Sequence, residues 1–240
     1  MNKFIFDVDG TLTPSRGVID DQFKEFFLEF IHVNDTYLVT GSDYNKTLEQ
    51  LGDDICNNVK CIYNCSGNDV WIRGKNIKTN SWSLPDAPRE WLISQLTSSK
   101  FVLRTGNHIE DRPGSINFSI VGRNATMKER QLYVNWDKET DERHKLAKEF
   151  NHLFHELQAR VGGETGLDIY PRGKDKSQVI SDFIKEDKLY FFGDRIEPGG
   201  NDFPLSKAIT SRGNGMAIGV KGWRDTYERL SYYQEAGIAS

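Results

Sequence analysis

Residues 6–16 read FDVDGTLTPSR: the apolar run Phe4 to Phe6 ends on two aspartates two positions apart, and Gly-Thr-Leu-Thr follows. A short apolar run closed by a polar, Gly-containing turn reads as a buried strand. In an open α/β sheet, ligands bind just outside the carboxyl ends of the strands, and Asp7 stands one residue past such an end. Two carboxylates left alone there would repel, and one would keep its proton, unless a divalent cation held by oxygen compensated them. The offset of two also divides the labour. Asp7 is placed to attack phosphorus and form an aspartyl phosphate, and Asp9 to protonate the leaving oxygen and later deprotonate the acceptor.

Outward from this stretch the chain alternates. Phe23, Phe26, Phe27, Phe30 and Ile31 recur at spacings of three and four behind Asp20 and Asp21, which predicts a helix. Tyr37 to Thr40 reads as a second strand, a helix follows with Ser42 as N-cap and Gly52 as its stop, and Val59 to Tyr63 reads as a third strand. This βαβαβ order predicts a parallel sheet. Val70 to Lys75 resembles a hairpin arm, and Ser81 to Arg89, with two prolines, reads as a linker into a second unit. That unit combines a helix near Glu90–Ser98 with strands at Phe101–Arg104, His108–Asp111 and Ser115–Val121. One long helix from about Lys138 to Arg160 carries Leu146, Phe150, Leu153, Phe154, Leu157 and Val161 and ends at Gly162. The βα rhythm resumes with GLDIYP from Gly166, a helix from about Asp175 to Ile184, the strands KLYFFGD and GMAIGV, and a last helix from Trp223. The fold class expected is α/β: a Rossmann-like parallel-sheet core domain, residues 1–81 and 166–240, interrupted by an inserted α+β cap domain, residues 82–165.

The 240 residues carry a formal charge of −4, so no basic footprint marks a nucleic-acid or anionic-membrane partner. No apolar run reaches bilayer length, and Asp7 and Asp9 interrupt the N-terminal one, which predicts a cytoplasmic protein. Three cysteines without a repeated Cys-x-x-Cys support neither a disulfide framework nor a zinc site.

Three further segments supply what a phosphoryl transferase needs beside the two aspartates. YLVTGSD offers the hydroxyls of Thr40 and Ser42 after the second strand, RGKDKSQV puts Lys176 at a helix start, and YFFGDRIEPGGND brings Asp194 and Asp202. Lys176 would neutralise Asp7 and the transferred phosphoryl group, and Asp194 would complete an oxygen shell for Mg²⁺.

With these residues in place the chain resembles the haloacid dehalogenase superfamily, in the subgroup with large α/β caps, and more closely the eukaryotic-type phosphomannomutases. The resemblance is carried by DVDGTLTPSR, GSDYNKTLEQLGDD, EDRPGSINFSIVGR, KER at 128–130, GLDIYP, KDK and FFGDRIEPGGND. It implies a Mg²⁺-dependent hexose-phosphate mutase in which Asp7, Asp9 (through its backbone carbonyl), Asp194 and Asp202 serve the metal. Arg16, Arg112, Arg123 and Arg130 would hold substrate phosphates, and Gly166 and Asp168 would face the sugar. Gly166 stands where the family has a serine that contacts the sugar. A hexose 1,6-bisphosphate would act as activator, and a homodimer through the cap is left open. The Thr-x-x-Glu pattern at Thr126–Glu129 predicts a capping box that places Arg130 in a helix's first turn. Water could replace the sugar hydroxyl as acceptor with the same carboxylates, so a sugar-phosphate phosphatase is the alternative, and the Thr-Gly-Ser turn of residues 40–42 suits it.

Overall fold

Alternation in the first strand decides the layering. In β1 (Asn2–Phe6), Phe4 and Phe6 point to one face and Ile5 to the other, and all three are fully buried. A strand buried on both faces requires helices on both sides. The computed structural model describes residues 1–15 and 17–239, and these form two compact units, 1–80 with 174–240, and 81–173.

In the first unit the chain runs β1, α1 (Asp21–Val33), β2 (Asp35–Val39), α2 (Tyr44–Asn58), β3 (Cys61–Asn64), β4 (Asp69–Ile72) and β5 (Lys75–Thr79). In the inserted unit follow α3 (Asp86–Ser98), β6 (Ile109–Arg112), β7 (Ser115–Phe118), α4 (Met127–Thr140), α5 (Glu142–Leu153), β8 (Leu157–Gly162) and β9 (Gly166–Pro171). The first unit then resumes with a 3-10 turn (Lys176–Asp182), β10 (Lys188–Gly193), α6 (Phe203–Ser211), β11 (Met216–Gly219) and α7 (Trp223–Glu235). Its seven-stranded sheet has the order β11-β10-β1-β2-β3-β4-β5, parallel from β11 to β3 and antiparallel beyond. One face packs Phe4, Phe6, Leu38 and Phe192 against Phe23, Phe27 and Phe30 of α1 and Leu230 of α7. The other packs Ile5, Val39 and Phe191 against Val179, Phe183 and Leu205. Burying one such side chain contributes roughly 1.5–3 kcal/mol. The switch point of this order lies beside β1, so the β1 end is where the topology opens a crevice.

Several boundaries differ from the sequence expectation. The helix after β2 is capped by Asp43, whose carboxylate accepts the Lys46 N–H at 2.9 Å, and not by Ser42. It also runs past Gly52, which breaks the helical backbone with φ +80 without ending the element. The long helix expected over Lys138–Arg160 is three elements. Asp141 takes a left-handed conformation between α4 and α5, and Asp137 Oδ1 accepts the Arg143 N–H at 2.8 Å to start α5. Leu157, Ala159 and Val161, each buried, then alternate at strand period in β8. Phe101–Arg104 is not a strand, because the Arg104 guanidinium binds carbonyls at the end of α3, including Leu96 at 2.6 Å. The helix expected over Asp175–Ile184 is the short 3-10 turn, whose three-residue repeat stacks Lys176 and Val179 on one buried side. Lastly, β9 does not reopen the first unit. It lies between β7 and β8 in the four-stranded sheet β6-β7-β9-β8, so the inserted unit reaches Gly173, not residue 165.

Candidate active site

Asp7 leaves the sheet still tied to it, its N–H donating to Phe192 O at 2.9 Å, and its side chain is buried. The next six residues coil tightly: the amides of Thr11, Leu12 and Thr13 all donate to Val8 O. Gly10 permits the coil. Its φ is +78, and a Cβ there would stand 2.5 Å from Asp194 Oδ2, so only glycine lets this carboxylate approach. The Thr11 hydroxyl donates weakly to Asp7 Oδ2 at 3.4 Å.

Lys176, fully buried, donates through Nζ to Asp7 Oδ1 and to Asp202 Oδ1, the latter at 2.7 Å. Burial opposes its charge, yet Asp202 and Asp7 outweigh burial and hold the ammonium above the ordinary lysine range. Asp202 Oδ2 accepts the Arg195 N–H at 3.1 Å, which fixes the carboxylate that fixes the lysine. Burial drives the Asp7 carboxyl well above its usual range; Lys176 pulls it down, and Asp202 and Asp194 push it up. Asp194 keeps an exposed side and rises to about 6, through partial desolvation first and Asp202 second. Carboxylate oxygens of Asp7, Asp194 and Asp202 lie within 4.8 Å of one another. Three carboxylates against one ammonium leave an uncompensated negative charge among hard oxygen donors, which suits a divalent cation such as Mg²⁺. The Asp9 side chain is not part of this group. Its Oδ2 accepts from Ser42 Oγ at 3.3 Å and its Oδ1 from Gln50 Nε2 at 3.0 Å.

Thr40 and Ser42 therefore separate in role. The Thr40 Oγ1 accepts the Ser42 N–H at 3.1 Å and shapes the turn, whereas the Ser42 hydroxyl reaches Asp9. Gln50, buried at mid-helix, was not singled out from sequence, because a glutamine inside a helical repeat carries no mark of its partners. Arg16 lies outside the described residues.

The inserted unit gathers the other expected residues. Arg112 ends β6, Arg123 follows β7, and Arg130 sits in the first turn of α4 behind the capping box of Thr126 and Glu129, which is present in both directions. Glu110 Oε2 accepts from Arg112 Nη2 at 2.9 Å and from Arg123 Nε at 2.6 Å. Burial would raise Glu110, but Arg112 and then Arg123 outweigh it and hold it below its usual range. Arg130 is 3% exposed, and its Nε and Nη1 are buried with no hydrogen-bond partner. Burial, then the nearby Arg123, lowers its pKa from the ordinary arginine value. Two crowded guanidiniums, one of them Arg130 with its unused buried donors, form a place for an anion. Asp168 Oδ1 accepts from Asn117 Nδ2 at 2.7 Å, and a Cβ on Gly166 would stand 2.6 Å from that same nitrogen. Glycine at 166 is thus the residue that lets Asn117 hold Asp168.

Comparison with known proteins identifies the family. The family described as Eukaryotic phosphomannomutase matches residues 23–233. A phosphomannomutase of Drosophila melanogaster is 32% identical over 214 residues, 84% of each chain, and a probable phosphomannomutase of Caenorhabditis elegans is 30% identical over the same shares. Among solved structures, a trehalose-6-phosphate phosphatase related protein superposes with a TM-score of 0.58 at 16% identity, covering 98% of this chain and 99% of that one. An IMP-bound mutant of the Plasmodium falciparum IMP-nucleotidase gives 0.63 at 15% identity, over 98% and 67%. At such identities these two speak for the fold alone. The family match over most of the length, together with the relatives at 30% identity and above, shows that the chain belongs to the eukaryotic phosphomannomutase family.

Proposed function

We propose that this chain interconverts mannose 1-phosphate and mannose 6-phosphate through a phosphorylated Asp7. The observation that carries the reading is the buried Lys176 bonded to both Asp7 and Asp202, which orients one carboxylate as nucleophile inside a cluster of three aspartates. Asp7 attacks a phosphorus of a hexose 1,6-bisphosphate, the bond from phosphorus to the sugar oxygen breaks, and Asp9 gives that oxygen its proton. In return Asp9 takes the proton of the hydroxyl of a bound hexose phosphate, which attacks the phosphorus and frees Asp7. Asp7, Asp194 and the Asp9 backbone carbonyl would hold Mg²⁺, whose charge offsets that of the phosphoryl oxygens, while Asp202 keeps Lys176 in place. Arg112, Arg123 and Arg130 would hold the second phosphate, and Arg16 would also serve substrate phosphate. The unused donors of Arg130 support this assignment. The acidic net charge offers no basic footprint for a nucleic acid. A cytoplasmic location and a homodimer through the inserted unit complete the proposal; no helix among the described residues is long and apolar enough to cross a membrane.

The test is to incubate the protein with mannose 1-phosphate, Mg²⁺ and catalytic glucose 1,6-bisphosphate, following mannose 6-phosphate and free phosphate together. Mannose 6-phosphate must form, and Asp7→Asn must abolish it. Release of free phosphate without mannose 6-phosphate would make the chain a sugar-phosphate phosphatase instead.

A further inference from the structure

Gln50 spends a buried amide on the loop that carries Asp9. Its Nε2 lies 3.0 Å from Asp9 Oδ1, 3.1 Å from Thr13 Oγ1 and 3.2 Å from Gly17 O. A carboxylate and a carbonyl only accept, so the nitrogen, not the oxygen, faces them. Two amide hydrogens are shared among three acceptors, so the bond to Asp9 can be released and remade while the nitrogen stays paired. The backbone joins the same assembly, since the Ile19 N–H donates to Gln50 O at 2.9 Å. On the other side, Gln50 Oε1 is buried without a hydrogen-bond partner. An apolar residue of equal volume would avoid that cost, so the nitrogen's contacts are what the glutamine is there to make. With Ser42 Oγ on Asp9 Oδ2, each oxygen of the carboxylate has a neutral donor, one from the turn after β2 and one from α2.

We propose that Gln50 is a positioning residue for proton transfer: its amide fixes the direction of the Asp9 carboxylate in both half-reactions, without touching the reacting atoms. The inference rests on the roles of Asp7 and Asp9 proposed above. In the first half-reaction the proton passes from Asp9 to the oxygen leaving phosphorus; in the second it passes from the acceptor hydroxyl, or water, back to Asp9. A misdirected Asp9 therefore slows any transfer that needs the proton and spares one that does not.

Gln50→Met keeps the side-chain volume and removes the donor. A nitrophenyl phosphate expels a stable anion, so phosphorylation of Asp7 by it needs little acid help, while hydrolysis of the resulting aspartyl phosphate still needs Asp9 as base. In rapid-mixing experiments with Mg²⁺, Gln50→Met is expected to release the first nitrophenolate within about threefold of the wild-type rate and to slow later turnovers by about tenfold or more, part of the 10²- to 10⁴-fold that a general acid/base supplies. The trace then shows a burst of one nitrophenolate per enzyme. With glucose 1,6-bisphosphate the first transfer itself should slow by about tenfold or more. In an Asp9→Asn background the substitution should add nothing, because the two act as a unit. Gln50→Asn, which keeps an amide but withdraws it by one methylene, should show the same pattern if Gln50→Met proves poorly folded. Equal slowing of the first transfer from both phosphates, or no slowing at any step, overturns the inference. Turnover that survives Asp7→Asn overturns the parent reading, and this inference with it.

Discussion

Lys176 is an ammonium in a place where burial alone would discharge it, and the carboxylates of Asp202 and Asp7 reverse that. Replacing it by methionine would leave those carboxylates buried without their partner. Lys176→Met is expected to lower stability by about 3–5 kcal/mol, the usual cost of breaking a buried ion pair from one side, and to abolish phosphoryl transfer. Urea unfolding read beside mannose 6-phosphate formation checks both halves; a stable, active variant would deny the pair its role. Arg123 tests the proposed phosphate-holding role of the arginines in the inserted unit. A charge-assisted contact contributes roughly 1.5–3 kcal/mol, so Arg123→Ala should lower kcat/KM for the mutase reaction by about ten- to a hundredfold. Hydrolysis of a nitrophenyl phosphate, which has no second phosphate, should barely change, and an equal fall in both would mean that the arginine serves folding. The meeting of Asp7, Lys176, Asp194 and Asp202 was legible in the sequence because each stands past a strand end or at a helix or turn start, where position itself carries chemistry; the Asp9 side chain, expected to share that group, turns to Ser42 and Gln50 instead. Gln50, Glu110 and Asn117 were not legible. Gln50 and Asn117 bond partners 41 and 51 residues away, and Glu110 joins Arg123, 13 residues on, to its strand neighbour Arg112.

Helix α4 shows how an element sets a functional side chain. The Thr126 hydroxyl accepts the Glu129 N–H at 3.3 Å, and Glu129 returns a carboxylate to the Thr126 N–H at 2.8 Å, so the first turn is rigid one residue before Arg130. Thr126→Ala should cost about 1 kcal/mol of cap, which amounts to roughly fivefold in the opening equilibrium of that turn. Hydrogen exchange at the amides of residues 127–130 measures it, and unchanged exchange would show that tertiary packing, not the cap, holds the turn. The box was readable from sequence because its two members are three residues apart. The region from Lys138 to Arg160 misled for the opposite reason. Leu146, Phe150 and Leu153 fit a helical stripe, and Leu157 and Val161 continue it at the same spacing of four, which also suits a strand's period of two. What separates the two readings is the left-handed Asp141 and the pairing of β8 with β9, neither of which a local pattern displays. The same long-range pairing drew β9 into the inserted unit although its apolar content matches the strands of the first.

At the scale of the whole chain, each unit has an apolar core of its own, with Leu92, Phe118, Tyr133, Phe150 and Ile169 buried together in the inserted one. A ligand of one unit should therefore stabilise that unit alone. Asp7, Asp194 and Asp202 all belong to the first unit, and without a cation their mutual repulsion opposes its folding. Burial and like charge hold Asp7 and Asp194 above the unfolded carboxylate value of roughly 3.9, Asp194 at about 6. Between those values these two groups bind more protons in the folded form than in the unfolded form, so their contribution to the stability of the cation-free protein is greatest at the acid end and is lost as pH rises from about 4 through about 6. Mg²⁺ replaces those protons. It should stabilise little at pH 5 and strongly at pH 7.5, where a concentration of a hundred times Kd adds about 2.7 kcal/mol and raises the melting temperature by about 5–10 °C. Calorimetry in EDTA and in Mg²⁺ at the two pH values should show the transition of the first unit moving and that of the inserted unit standing still. Asp194→Asn should abolish the Mg²⁺-dependent shift, and at pH 7.5 in EDTA it should melt above the wild type, because one of the repelling charges is gone. A wild-type transition that ignores Mg²⁺ at pH 7.5 would mean that the three carboxylates hold no cation.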